Sequence, residues 1–387
     1  MPRKFASVPI IRTFLGKVLL CTVALHLAFA AGGTVLLAGC TRENDGSDNT
    51  KPVDKPSVED GQGGYLFAHM TNANYGSLFY SISRDGLSWK TLNGGKVILE
   101  SYYGHPDICE GPDVFGNADR RWYMIGVVRG SSKESLVLWH TTDLVVWKNK
   151  VLDGEKFVVD HLGVYNEIPF VGAPKMFYDE DSHQFIITWH AGEYYRKRQE
   201  AKTDEERNMY DRKNWETMKT CYILTEDFVN FTRPKRLFAA QDGGDLAPIY
   251  FTGADSDISL IDVIIRKFNG KYYAIVKDER WEDKAPKTHK SIRIASSDNL
   301  LGPYSNPGPS ISPNWREAPI IILTPEGKFR LYYENYGEHV YEMREAVAIQ
   351  GAPWKDATGF YPPKDGRHGC IIHVDEETYR NIEKSYK

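Results

Sequence analysis

Thr141-Thr-Asp143-Leu-Val-Val-Trp147 is a turn that this chain writes again as Ser83-Arg-Asp85-Gly-Leu-Ser-Trp89 and as Thr225-Glu-Asp227-Phe-Val-Asn-Phe231. Each copy has Ser or Thr, any residue, Asp, and an aromatic four positions after the Asp. Ser296-Ser-Asp298-Asn-Leu is a weaker copy, with Tyr304 six positions after its Asp. An Asp side chain can accept hydrogen bonds from its own turn backbone, and the aromatic can pack between layers. These aspartates are therefore read as structural, and the repeat as architecture.

A second repeat alternates with the first. Glu110-Gly-Pro-Asp-Val-Phe, Ala173-Pro-Lys-Met-Phe-Tyr, Asp262-Val-Ile-Ile-Arg-Lys and Glu317-Ala-Pro-Ile-Ile-Ile share one frame. In three of them an aromatic falls twelve positions on, at Trp122, Phe185 and Phe329, and Tyr272-Tyr273 comes slightly sooner in the fourth. From Tyr65 onward, short β-branched or aromatic runs alternate with turn signals, and helical periodicity is scarce. The two repeats together lay out four-stranded units starting at Glu110, Ala173, Asp262 and Glu317. Residues 65–99 supply three strands without an inner one, and His368-Gly-Cys-Ile-Ile-His-Val fits that gap. The fold expected is all-β: a five-bladed β-propeller closed by strands from both termini, which removes exposed sheet edges. A four-bladed ring with a separate hairpin is the alternative.

The frame puts Glu110, Ala173, Asp262, Glu317 and His368 near the axial ends of the inner strands. Three acids at one frame position, beside a small Ala173, suggest a shared site. Glycoside hydrolysis needs two carboxyl groups in different proton states, one to protonate the leaving oxygen and one to activate water or attack. A third acid can raise the donor's pKa by repulsion. Buried acids that merely hold water or an ion are the bland reading of each acid taken alone.

Composition agrees with this class. The chain has 387 residues, 41% of them hydrophobic, with 23 Tyr, 17 Phe and 9 Trp, enough for a large β-rich core. A net charge of −4 argues against a nucleic-acid partner, which wants basic excess. Cys109, Cys221 and Cys370 are widely spaced and show no disulfide framework or metal pattern.

The N-terminus carries Arg3, Lys4, Arg12 and Lys17, then a run from Val18 to Gly39 whose one ionisable residue outside the cysteine is His26. Leu37-Ala38-Gly39-Cys40 closes it before a polar stretch. This resembles a bacterial lipoprotein signal, with Cys40 taking the lipid. A membrane-spanning anchor is the alternative, at about 20 apolar residues. The expected organisation is a signal at 1–39, a flexible tether at 40–63 and a catalytic propeller at 64–387, exported and lipid-anchored in a bacterial envelope.

From about Tyr65 to the end the chain resembles glycoside hydrolase family 43. The pieces that carry the likeness are Tyr65-Leu-Phe-Ala-His-Met with Ser83-Arg-Asp-Gly-Leu-Ser-Trp, Gly172-Ala-Pro, Ile261-Asp-Val-Ile-Ile-Arg-Lys-Phe-Asn-Gly-Lys-Tyr-Tyr, Arg316-Glu-Ala-Pro and Arg367-His-Gly. The resemblance implies a glycosidase that removes arabinose, xylose or related sugars from a polysaccharide or oligosaccharide. It implies Glu317 as general acid, Asp262 as the acid that orients and tunes it, and His368 as an axial histidine that in some members helps hold a structural calcium through water. No cofactor is otherwise required. Blade one departs from the pattern: the family base is an Asp, usually in Asp-Pro, whereas the in-frame residue is Glu110. Glu110 is taken as base, with Asp107 as the alternative. Loss of the base would leave a carbohydrate-binding propeller.

Loops on the site face, including 71–76, 129–134, 193–219, 280–290 and 335–339, offer Asn74, Tyr75, Tyr194, Trp281 and Tyr336 as sugar contacts. Blade-to-blade loops add Tyr103 and His105. Aromatic faces stack on sugar C–H surfaces, and amides or His bond hydroxyls. The charged stretch 193–219 reads as a solvated helix or as a wall that admits only a chain end, which would make the action exo.

Overall fold

A computed structural model describes residues 63–100, 104–128, 135–157, 171–192, 194–239, 259–280 and 290–387. Cys40, Tyr103 and Trp281 lie outside the described residues. Five antiparallel sheets follow one another along the chain. Blade one pairs Cys109–Gly111, Arg121–Val128, Ser135–Thr141 and Lys148–Val151 in order. Blade two pairs Gly172–Asp179, Gln184–Ala191, Lys219–Thr225 and Lys235–Arg236. Blade four pairs Arg316–Leu323, Phe329–Asn335, Val340–Ala346 and Lys355–Asp356. The closing blade takes Gly366–Val374 from the C-terminal end as its inner strand, beside Gly64–Thr71, Phe79–Ser83 and Lys90–Thr91.

Blade three differs from the four strands expected. It pairs Leu260–Phe268, Lys271–Asp278 and Ile292–Ser297, and no fourth strand is formed among the described residues. The stretch that runs along its outer edge holds Pro303, Pro307, Pro309 and Pro313. Proline has no N–H to give a ladder. Ser305, Gly308 and Ile311 still donate backbone bonds to Ser296, Ile294 and Ile292, at 2.8, 3.0 and 2.9 Å.

The Asp turns are built as their sequence implies. Asp85 accepts the N–H groups of Leu87 and Ser88, Asp143 those of Val145 and Val146, and Asp227 those of Val229 and Asn230. These bonds hold the Asp227 carboxyl down at about 2. In the weaker copy Ser297 takes over, accepting the Asn299 N–H at 3.0 Å. The aromatics bridge blades: Trp147 of blade one donates to the Tyr80 hydroxyl of the closing blade at 2.8 Å.

Apolar residues form five clusters, each shared by two neighbouring blades. Tyr123, Ile125 and Leu138 of blade one pack with Phe185, Ile187 and Trp189 of blade two. Equivalent clusters join the closing blade to blade one, two to three, three to four, and four to the closing blade. Each fully buried large side chain in them contributes roughly 1.5–3 kcal/mol. A C-terminal helix, Glu376–Ser385, was not legible in the strand pattern. Asp375 caps it by accepting the Thr378 N–H, and Tyr379 and Ile382 bury against the closing blade. No helix among the described residues is long and apolar enough to cross a membrane.

Four inner strands break register at one end. Bulges follow Gly172, Ile261 and Glu317, and a fourth sits opposite the His69–Met70 step. Ala173, Asp262, Ala318 and His368 there have φ of 41°, 51°, 50° and 24°. Such conformations cost on the order of 1–3 kcal/mol each for a non-glycine residue, and persist where surrounding structure holds them. A bulge also re-aims side chains, and here it turns them toward the pocket.

Candidate active site

The bulges define two rings of equivalent positions. Ala173, Asp262, Ala318 and His368 occupy the bulge ring, and Gly172, Ile261, Glu317 and Arg367 the ring just before it. Glu317 is therefore one position out of the frame expected from sequence. It matches Gly172, and Ala318-Pro319 matches Ala173-Pro174.

Blade one needs a larger correction. Trp122 pairs with Thr141, and Phe185 with Thr225, each Thr opening an Asp turn. Trp122 and Phe185 are thus equivalent, and so are their inner-strand partners Glu110 and Tyr178. Both partners lie at the far end of the strand from the bulge ring. His105 stands as far before Glu110 as Ala173 stands before Tyr178. His105, in Gly104-His-Pro, is the blade-one counterpart of Ala173 in Gly172-Ala-Pro. Glu110 is not in the pocket. Its side chain is 48% exposed beside Arg120, and it borders a separate cavity of ≈ 170 Å³ with Tyr178 and Arg266. Burial raises its pKa, partly offset by Arg120.

Asp107, the alternative base, does not line the pocket either. It is 1% exposed, with one oxygen on the Arg266 guanidinium at 2.7 Å and the other accepting the Met176 N–H at 3.1 Å. Those bonds tie blades one, two and three together and leave it structural.

The pocket has a volume of ≈ 550 Å³, within the range of small-ligand sites. Tyr75, His105, Asp262, Glu317, Tyr336 and His368 from the sequence reading all line it. Asn74 is exposed and bonds its N–H to Thr71, outside the lining. Tyr194 packs on Tyr210 within the insertion, outside the lining. The insertion itself folds into helices Tyr195–Glu200 and Asp204–Glu216, and Asn208, Asp211, Arg212 and Trp215 of the second face the pocket.

Glu317 has three charged or ionisable partners in the pocket. Lys277 donates to Oε2 at 2.8 Å, His368 Nε2 lies 3.2 Å from Oε1, and Arg367 lies 3.8 Å away. Burial would raise its pKa, but the Lys277 charge and the His368 bond hold it well below the usual carboxylate range. Burial works against protonation of His368, yet the bond to Glu317 and the charges of Glu317, Glu334 and Asp262 raise its pKa overall. Both shifts favour the charged forms, the Glu317 carboxylate and the His368 imidazolium. Glu334, fully buried below, accepts the His368 N–H at 3.0 Å and pairs with Arg367. Burial raises its pKa. Asp262 reaches the Ala318 N–H at 3.4 Å, next to Glu317.

Sequence reasoning stayed on the inner strands and missed the second strands. Lys277, His190 and Glu334 pair across from Ile261, Gly172 and Glu317. A Cβ on Gly172 would come within 2.2 Å of the His190 ring, so glycine is what lets that ring lie over the strand. Lys277 also pairs with Glu279 at 3.0 Å, and Glu279 with Lys290.

Calcium prefers about six to eight oxygen ligands. The ligand atoms of Glu317, Glu334 and His368 lie within 4.8 Å of one another. However, Lys277 and Arg367 already occupy the carboxylates, and His368 offers nitrogen. These residues do not fit a calcium cage.

Over residues 60–380 the chain matches a family model related to glycosyl hydrolase family 43, described as a probable glycosyl hydrolase domain. It is similar to an α-L-arabinofuranosidase of Bifidobacterium longum subsp. longum, at 23% identity over 267 residues. That match covers 63% of this chain and 22% of the relative, so the chain spans about a fifth of the relative's length. Similar solved structures include the bifunctional GH43-CE protein of Bacteroides eggerthii, at 13% identity and a TM-score of 0.45 over 78% and 35% of the two chains. Another is the catalytic domain of the GH62 α-L-arabinofuranosidase of Coprinopsis cinerea, at 14% identity and a TM-score of 0.40 over 65% and 67%.

Proposed function

Because the chain belongs to the family of glycosyl hydrolase domains related to family 43, we propose that it hydrolyses glycosidic bonds of an oligosaccharide or polysaccharide in this pocket. The observation that carries the reading is the Glu317–His368 contact, with His368 Nε2 3.2 Å from Glu317 Oε1 and both residues lining the pocket. Glu317 delivers a proton to the leaving oxygen, and His368 is its reservoir. Asp262 fixes the backbone beside Glu317 and adds negative charge that keeps the proton on the pair. Tyr75, Tyr336 and Trp215 supply faces for sugar C–H surfaces.

The sugar we propose is a terminal arabinofuranose, xylose or similar unit, released with inversion. The name of the Bifidobacterium relative favours arabinofuranose. The test is release of sugar by the full-length chain from arabinofuranosides, xylosides and galactofuranosides, with the first-formed anomer read by NMR. Failure to release sugar from any of them, with ligand binding intact, would reject the glycosidase in favour of a binding propeller. A first product of unchanged configuration would reject inversion.

The helical wall favours exo action. Replacing residues 195–217 with a short Gly-Ser link is expected to open the pocket and allow cleavage of internal bonds. Product chromatography that still shows only single sugars would remove the wall from the argument. Lipid attachment at Cys40 is part of the same proposal. Metabolic fatty-acid labelling should mark the wild type and not Cys40→Ser, and equal labelling would reject it.

A further inference from the structure

We propose that Tyr75 and His105 together are the proton acceptor that activates water in this pocket. The inference rests on the glycosidase reading and supplies the base that Glu110 and Asp107 do not. Tyr75 Oη and His105 Nε2 are 2.8 Å apart. His105 holds the blade-one place in the bulge ring, and both residues line the pocket. The other acids of the pocket floor are engaged: Glu317 with Lys277 and His368, Glu279 with Lys277 and Lys290, and Asp262 with the Ala318 amide.

The surroundings suit an acceptor. The His105 ring stacks on His368 with centroids 3.8 Å apart. Within that stack Glu317 and Glu334 lie beside His368, with oxygens 3.2 and 3.8 Å from its Nε2. The Tyr75 ring stands edge-on to both imidazoles, at 5.9 Å from each. Burial, then the charges of Glu317, Asp262 and Glu334, raise the Tyr75 pKa, so the phenol keeps its proton at rest. The other charged groups facing the pair are Arg367, 5.5 Å from the Tyr75 ring, and Lys175, which donates to the His105 carbonyl at 3.4 Å.

Water oxygen bonds the anomeric carbon, and its proton passes to Tyr75 Oη while the Tyr75 proton passes to His105 Nε2. The bond from the anomeric carbon to the leaving oxygen breaks, its electrons go with that oxygen, and the oxygen takes the proton of the Glu317–His368 pair. No carboxylate bonds the sugar, so the product is inverted. Solvent then takes the proton from His105 and restores the pair.

The test compares wild type, Tyr75→Phe, His105→Gln and the double variant. General base catalysis is typically worth ~10²–10⁴-fold, and each single variant is expected to lose kcat on that scale. Because the two act as a unit, the double variant loses little more than either alone. Sodium azide, a nucleophile that needs no deprotonation, restores turnover in the variants as glycosyl azide. The wild-type rate rises with pH through the imidazole range near ~6.5, and His105→Gln removes that limb. Variants within about threefold of wild type, or an unchanged pH profile, would overturn the proposal.

Imidazole nitrogen NMR separates this from the glycosidase reading. The His105 signals, identified by their loss in His105→Gln, are expected to titrate and to move in Tyr75→Phe. If wild type releases no sugar, the glycosidase reading fails and the acceptor role falls with it; if it releases sugar but the His105 signals do not move in Tyr75→Phe, the pair alone is overturned. A His105 ring that does not titrate overturns the pair, whatever the wild type hydrolyses.

Discussion

Glu317→Gln is expected to lower sugar release by ~10³-fold or more, the range of a lost general acid. Glutamine keeps the shape of the side chain but can neither take a proton from His368 nor pair with Lys277. Glu110→Gln, at the far end of its strand, is the matched control and should stay within about twofold, since it touches no pocket group. Release that survives Glu317→Gln would remove Glu317 from the chemistry.

The same substitution has a pH signature in stability. The folded pKa of Glu317 is depressed from 4.5, so its contribution is present above that value and lost as pH falls through the folded pKa. The folded pKa of His368 is raised from 6.5, so its contribution is present below that value and lost as pH rises through the folded pKa. The melting-temperature gap between wild type and Glu317→Gln should thus be widest from about pH 4.5 to about 6.5 and narrow on either side. A gap of equal size from acid to alkali would show that the pair does not carry it.

Asp107→Ala should be the most damaging single change to the fold. It leaves the Arg266 guanidinium beside the axis without its carboxylate and frees the Met176 N–H. Breaking a buried pair from one side typically costs ~3–5 kcal/mol. At this chain length that corresponds to a melting-temperature fall of roughly 4–7 °C. Removing both partners, as Asp107→Ala with Arg266→Met, should cost less than Asp107→Ala alone, because no uncompensated charge remains. Equal losses in the single and double variants would mean that Asp107 acts through packing alone.

The blades were legible because the Asp–aromatic turn repeats in three of them and, weakly, in a fourth, where local hydrogen bonding dictates sequence. The site was legible only in part, because spacing is blind to how a stretch divides between strand and loop. Glu110 to Trp122 and Ala173 to Phe185 span equal lengths, yet blade one spends that length on the hairpin between Gly111 and Arg121. Blade two spends it on strand, with a tight turn between Asp179 and Gln184. The bulges shift Glu317 by one for a similar reason. The surer signal was the proline step, in Gly104-His-Pro, Gly172-Ala-Pro and Glu317-Ala-Pro, which marks where three of the inner strands enter the pocket. Lys277 and Glu334 were hidden because second-strand residues become neighbours of the site only once register is set.

The join between Gly64 and Val374 makes one strand both the seal of the ring and the bearer of His368. A chain clipped before Gly366 has neither a closed ring nor His368 beside Glu317. Closing the ring and bringing His368 beside Glu317 are therefore one event.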